Sequence, residues 1–166
     1  ELPVNQAAPD FTLPDLDGIP HRLKDLRGKI VILNFWSAEC PHCQRVDEEL
    51  YRQLLTWGNE VILLTIASNA NESPELIRQA APNGKGHPIL LDSDQQTANL
   101  FGAKTTPHLF VVDLDGILRY RGAYNDVSFR QRVPTRAYLT DAVTALLCGG
   151  LPDLAETKSF GCVLVR

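Results

Sequence analysis

Two stretches of the chain are apolar almost without interruption, Ile30 to Trp36 and Val61 to Ala67. Runs of that length without polar alternation predict strands covered on both faces. Between them Val46, Leu50, Leu54 and Trp57 recur at helical spacing from Pro41 onward. Gln44, Arg45, Asp47, Glu48 and Arg52 take the other face, and Gly58 stops the helix. The unit is β-α-β, which makes the strands a parallel pair with a right-handed crossover. Ser73-Pro74-Glu75-Leu76 opens a second helix with Ser73 as N-cap, ending before Pro82. Asn83 to Gly86 reads as a flexible loop, Pro88 to Leu91 as a short strand, and Asp92-Ser93-Asp94 as the cap of a helix through Phe101. A strand from Leu109 to Val112, the turn Asp113 to Gly116 and a strand from Ile117 to Arg121 form a hairpin, so the final strands are antiparallel.

Residues 1 to 10 carry Pro3 and Pro9 without periodicity and read as an extended entry segment. Phe11-Thr12-Leu13, the turn Asp15 to Gly18 and Ile19 to Leu23 then predict a β-hairpin, followed by a single helical turn closed by Gly28. A last helix spans Pro134 to Leu147 and closes at Gly149-Gly150. The tail from Leu151 to Arg166 ends in a strand-like run, Cys162 to Val165, for which the pattern offers no partner. The fold class is therefore α/β with a mixed sheet. The whole chain, 1–166, is one domain with a core of about 8–147 and a tail of 148–166.

Chemistry enters at Cys40-Pro41-His42-Cys43, where the strand from Ile30 hands over to the helix. Cysteines three apart on the first turn of a helix have Cα atoms roughly 5 Å apart, inside the range a disulfide tolerates. Pro41 suits the first helical position, where a missing N–H costs nothing. Cys40 then meets the positive end of the helix dipole, and a protonated His42 adds charge beside it, so its thiolate is expected to be stabilised. A zinc site needs a second close pair of ligands. Cys148 and Cys162 are 14 positions apart, and His21, His87 and His108 are scattered. A structural disulfide across so short a loop constrains the unfolded chain little. The motif reads as a redox dithiol, with no metal and no cofactor required.

Sixteen basic against 20 acidic residues give a net charge of -4, with no long run of like charge. Nucleic acid and anionic membranes are poor partners for such a surface. No segment is long and apolar enough for a membrane span. The chain begins at Glu1 and holds no Met, so it reads as a trimmed fragment whose upstream signal or membrane tether has been removed. Four cysteines, two in a dithiol and two free to pair, fit an extracytoplasmic oxidising compartment such as the bacterial periplasm. The protein is expected to act as a monomer.

The order β-α-β then β-β-α, with CxxC at the first helix and Thr106-Pro107 before the last hairpin, resembles the thioredoxin fold. The N-terminal hairpin from Pro9 to Gly18 and the strand-helix insert at 61–81 are similar to its TlpA-like and redoxin branch, related to AhpC/TSA. The resemblance covers roughly residues 8–147. It implies a three-layer α/β/α architecture and a thiol–disulfide oxidoreductase acting on protein thiols and disulfides, kept in its working state by an upstream redox partner. It also implies that Pro107 is cis against the dithiol, that Thr106 offers backbone groups to an extended client, and that Trp36 packs beside the site and joins Thr106 and Pro107 in binding the client. Cys40, exposed at the helix end, would form the mixed disulfide and Cys43 would resolve it. Sulfurs buried beyond a client's reach would contradict this.

Several positions depart from the family pattern. Thioredoxins place a buried Asp six residues before the first cysteine, where this chain has Asn34. TlpA-like proteins often place a Glu three residues after the second cysteine, where it has Val46. The proton acceptor for Cys43 is thus unassigned, with Glu39 the nearest carboxylate in sequence. The Pro-His dipeptide resembles that of DsbA-type oxidants, whereas the scaffold resembles reductants of cytochrome and metalloprotein maturation. For Cys162 three readings stand open: a third redox thiol exchanging with Cys40, a bridge to Cys148, or an independent buried thiol. Two rival functions are a thiol peroxidase, for which Ser37 stands three residues before Cys40, and a copper chaperone, for which His87 or His108 would complete a site with the cysteines.

Overall fold

The computed structural model describes residues 2–82 and 86–166, so all but Gly86 of the loop expected at Asn83 to Gly86 lies outside the described residues. In chain order the strands and α-helices are β1 (Thr12–Pro14), β2 (Pro20–Arg22), β3 (Ile30–Trp36), α1 (Pro41–Trp57), β4 (Val61–Ala67), α2 (Pro74–Ala80), β5 (Ile89–Leu91), α3 (Gln96–Phe101), β6 (Thr105–Thr106), β7 (His108–Val112), β8 (Leu118–Gly122), α4 (Tyr138–Leu147) and β9 (Cys162–Val163). A five-stranded sheet has the order β5-β4-β3-β7-β8. β3 pairs with β4 in parallel and with β7 antiparallel, from Val31 opposite Val112 to Phe35 opposite His108. The sheet is mixed for the reason the pattern predicts: a helical crossover joins β3 to β4, and a tight turn joins β7 to β8.

Every residue of β3 is buried, because alternate side chains enter two different cores. Ile30 and Ile32 pack with Val46, Leu50 and Leu54 of α1 and Leu139, Ala142 and Val143 of α4. Val31, Leu33 and Phe35 pack on the other face with Phe11 and Leu13 of the hairpin region and Ala98 and Phe101 of α3. The result is three layers. A third, smaller cluster at the end of β3 joins Trp36, Ala38, Cys40 and Cys43 to Ile77 of α2 and Ile89 of β5.

Local capping follows the expected chemistry in two places. Ser73 accepts the Leu76 N–H through its hydroxyl at 3.2 Å. The Asp92 carboxylate, fully buried, accepts from Thr97 N, Ala98 N and Ser68 Oγ at 3.0, 2.9 and 2.7 Å. Two expectations are corrected. The last helix begins at Tyr138, not Pro134, because Asp126 accepts from Thr135 N at 2.8 Å and Arg136 N at 3.1 Å and draws that stretch into a loop. The tail does have a partner: β9 pairs antiparallel with β6, Thr105 opposite Val163 and Thr106 opposite Cys162. Among the described residues no helix is long and apolar enough to cross a membrane.

Candidate active site

Cys40 is the N-cap of α1 and Pro41 its first helical residue, so the Cys40 carbonyl accepts from Cys43 N at 3.1 Å and Gln44 N at 3.2 Å. The loop that delivers it from β3 is pinned by Glu72, whose carboxylate accepts from Ser37 Oγ at 2.6 Å and Ala38 N at 3.0 Å. That bond occupies the hydroxyl on which a peroxidase reading relied. Across from the dithiol the Thr106–Pro107 peptide is cis. The Thr106 carbonyl oxygen lies 3.1 Å from Cys40 Sγ, and Cys162 Sγ lies 2.6 Å from that sulfur.

The three sulfurs have unequal acidities. Cys40 falls to about 4, chiefly because the Cys43 thiol hydrogen-bonds to it and secondarily because Cys162 does, against the opposing cost of burial. The Thr106 carbonyl can accept only from the thiol form. Cys43 moves far upward through burial and through its bond to Cys40. Burial, followed by the bond to Cys40, pushes Cys162 up to about 11. The arrangement is one thiolate held between two thiols.

The expected exposure of Cys40 is corrected: it is 1% exposed and Cys43 is fully buried. Cys40 is covered by the Thr106 carbonyl and by Cys162 of the tail, which packs onto the same cluster. Cys162 is itself half-buried, so it is the outermost of the three sulfurs. Cys148, at the end of α4, is exposed, and neither it nor Cys162 is bonded. The bridge between them is therefore not made, because strand pairing carries Cys162 to Thr106 instead.

Trp36 is also corrected as a client contact. It is 2% exposed, and its Nε1 donates to Asp47 Oδ2 at 2.9 Å. Asp47, assigned by periodicity to the polar face of α1, is in fact 7% exposed. Its Oδ1 is buried with no hydrogen-bond partner among the described residues. Burial raises this carboxyl to about 7, opposed by the Trp36 bond, and its charge acts on the Cys43 thiol. This is the residue that reading the sequence missed. The signal was spacing: Asp47 stands four residues after Cys43, one turn on along the same helix face, one position beyond the Val46 site inspected. Glu39 is exposed and Asn34 lies buried in β3.

His42 packs edge-on to Phe160 of the tail with ring centroids 4.8 Å apart, Phe129 stands 5.0 Å from Phe160, and Arg45 donates to His42 Nδ1 at 3.3 Å. His87 stacks on Tyr51 at 5.1 Å. His108 accepts the Lys104 N–H through Nδ1 at 3.1 Å, and burial lowers it to about 4. Neither joins the cysteines, and among the described residues no three His, Cys, Asp or Glu side chains are grouped to hold a metal ion.

The model of the AhpC/TSA family matches residues 4–121. The thiol-disulfide oxidoreductase ResA of Geobacillus thermodenitrificans is 38% identical over 117 residues, which are 68% of this chain and 65% of that protein. The chain thus spans just under two thirds of the length of this curated relative. An uncharacterised conserved protein from Geobacillus kaustophilus superposes with a TM-score of 0.89 at 28% identity, over 100% of this chain and 93% of the other. The thioredoxin domain of a thiol-disulfide oxidoreductase from Bacteroides vulgatus shares the fold, with a TM-score of 0.62 at 20% identity over 80% of this chain and 94% of that one. The family match stops at residue 121, before the tail begins.

Proposed function

The chain belongs to the AhpC/TSA family, and on that footing we propose that it is a thiol–disulfide oxidoreductase exchanging disulfides with protein clients through Cys40 and Cys43. The observation that carries the reading is a pair of cysteines on the first turn of α1 facing the cis Thr106–Pro107 peptide, with Cys40 lowered to about 4 and Cys43 raised. A dithiol so divided has one sulfur ready to attack and one that keeps its proton until needed. With the tail lifted from β6 to uncover Cys40, its thiolate attacks a client disulfide, forming a mixed disulfide and expelling the client's other sulfur as a thiolate. Cys43, its proton taken by Asp47, then attacks Cys40 Sγ. The Cys40–Cys43 bond forms, the mixed disulfide breaks, and the electron pair leaves on the client's second sulfur. The client gains two electrons and the dithiol loses two. Run backward, the same steps oxidise a client.

Thr106 and Pro107 border Cys40 where a client strand would lie, and Trp36 acts through Asp47 as a positioning residue. Pro41 sets the first turn. His42 faces the aromatic rim, while Glu39 remains an exposed neighbour of Cys40. We place the reaction in an extracytoplasmic oxidising compartment, which suits four cysteines with no imposed pairing, with a second redox protein returning the dithiol to its starting state. Reduction of insulin driven by dithiothreitol tests the assignment. The wild type should accelerate it and Cys40→Ser should fall to the uncatalysed rate; undiminished activity in Cys40→Ser overturns the reading. Direction follows from the potential: about -120 mV marks a disulfide donor and about -270 mV a reductant.

A further inference from the structure

The geometry points to Cys162 as a third redox thiol, carried to Cys40 on a tail seated as an extended client would be, so that Cys40 forms its disulfide with either Cys43 or Cys162. This rests on the exchange chemistry proposed above but concerns a segment outside the family match. Its first support is register. Antiparallel pairing sets Cys162 opposite Thr106, the residue whose carbonyl contacts Cys40 Sγ, and brings the sulfurs to 2.6 Å. A disulfide is about 2.05 Å long, so a shift of roughly half an ångström converts contact to bond.

The second support is the fit of the tail around that cysteine. At Gly161 a Cβ would fall 2.1 Å from the Thr106 carbonyl oxygen and 3.1 Å from Pro107 Cδ, so the strand reaches this edge only because the residue before Cys162 has no side chain. Beyond Cys162, Leu164 is buried and its N–H donates to Lys104 O at 3.1 Å. Val165 accepts from Ala70 N at 2.9 Å and donates to Asn69 Oδ1 at 2.9 Å. Before it, Thr157 N donates to Arg121 O at 3.0 Å, and Thr157 Oγ1 accepts from Ala123 N at 3.0 Å. The cysteine is thus held at both flanks.

The step is an isomerisation. From the Cys40–Cys43 disulfide, the Cys162 thiolate attacks Cys40 Sγ. The Cys40–Cys162 bond forms, the Cys40–Cys43 bond breaks, and the electron pair leaves on Cys43, which takes up the proton that Cys162 lost. No electrons enter or leave the protein. In that state Cys40 is masked from clients, and the half-buried sulfur of Cys162 is the one nearest solvent.

The test uses the full chain. Cys43→Ala equilibrated in glutathione redox buffer should lose the mass of two hydrogens and give a linked Cys40–Cys162 peptide on non-reducing digestion. Capture of glutathione on Cys40, with Cys162 still open to alkylation, overturns the proposal. Gly161→Val guards against a folding failure in the first variant. It should abolish the Cys40–Cys162 link and speed alkylation of Cys40 by at least about tenfold as the tail lifts, while the Cys40–Cys43 disulfide still forms; alkylation at the wild-type rate in a folded Gly161→Val protein also counts against it. Insulin reduction by the wild type is scored separately, so a link without exchange sinks only the earlier reading, and exchange without a link sinks only this one.

Discussion

Cys43 and Cys162 both hydrogen-bond to Cys40, but different kinds of structure put them there. Cys43 is three residues away, on the turn that Pro41 begins, and would sit there in almost any chain that formed this helix. Cys162 is 122 residues away and arrives through a two-residue strand pairing and a glycine that fits against Thr106. The near sulfur is fully buried, with a carboxyl one turn beyond it; the far one is half-buried on the outermost strand. A local contact of this sort is permanent and supplies the chemistry. A distant one held by a few backbone bonds can be exchanged, which suits a client or a stand-in for one.

The largest expected effect breaks the comparison on the near side. Asp47 holds its proton up to about pH 7 in the folded protein, against about 3.9 for a free carboxyl. The folded state therefore binds that extra proton between those values, so Asp47's own contribution falls as pH rises from about 4 to 7 and then levels off. Cys40 and His108, both lowered to about 4, add stability over the same range. The Asp47 shift corresponds to about 4 kcal/mol. Asp47→Asn keeps the Trp36 contact but removes the titration. The stability of Asp47→Asn relative to the wild type, read from urea midpoints, should rise from about pH 4 to 7 and stand above it at about pH 8.5 by up to that amount. Resolution by Cys43 should slow in the same variant, since the amide takes no proton. A difference between the two proteins that does not change with pH would remove Asp47 from the site.

A smaller effect weighs the two sulfurs directly. Each S–H donor to the Cys40 thiolate is a charge-assisted bond of roughly 1.5–3 kcal/mol, or about one to two pKa units. Cys43 is the stronger influence on Cys40 and Cys162 the weaker. Following the thiolate absorbance of the reduced protein down the pH scale, Cys43→Ala should raise the Cys40 midpoint from about 4 by more than Cys162→Ala does. The reverse order would mean that the tail, not the helix, sets the reactivity of the site.

The same division explains what could be read without coordinates. The strands, α1, the Ser73 cap and the dithiol turn are written in local periodicity and punctuation, and the mixed sheet follows from one helical and one tight connection. The seat of the tail was not legible, because Cys162 to Val165 satisfies its backbone against Thr105 and Thr106, and no pattern marks a two-residue edge as available. The start of α4 was lost to a side chain, Asp126, that competes for the backbone N–H groups of Thr135 and Arg136. Asp47 was misassigned because a carboxylate on a helix is ordinarily solvated. Among the described residues its one hydrogen-bond donor is the indole of Trp36, eleven residues earlier.

The smallest effect sharpens the far side. Phe160 lies between His42, 4.8 Å away, and Phe129, 5.0 Å away, both edge-on, and edge-to-face pairs contribute about 0.5–1.5 kcal/mol each beyond area burial. Phe129 is 75% exposed, so the clasp closes at the surface and its burial contribution is modest. Phe160→Ala should therefore loosen the tail by about 1–2 kcal/mol with little change in the global unfolding midpoint, because the cores beneath β3 do not include it. Alkylation of Cys40 under native conditions reads this loosening directly. At about 1.4 kcal/mol per factor of ten in an opening equilibrium, the rate should rise by about five- to thirtyfold. Loss of global stability without faster alkylation would make the aromatic rim an ordinary packing cluster and leave Gly161 and β6 as the whole of the tail's attachment at the dithiol.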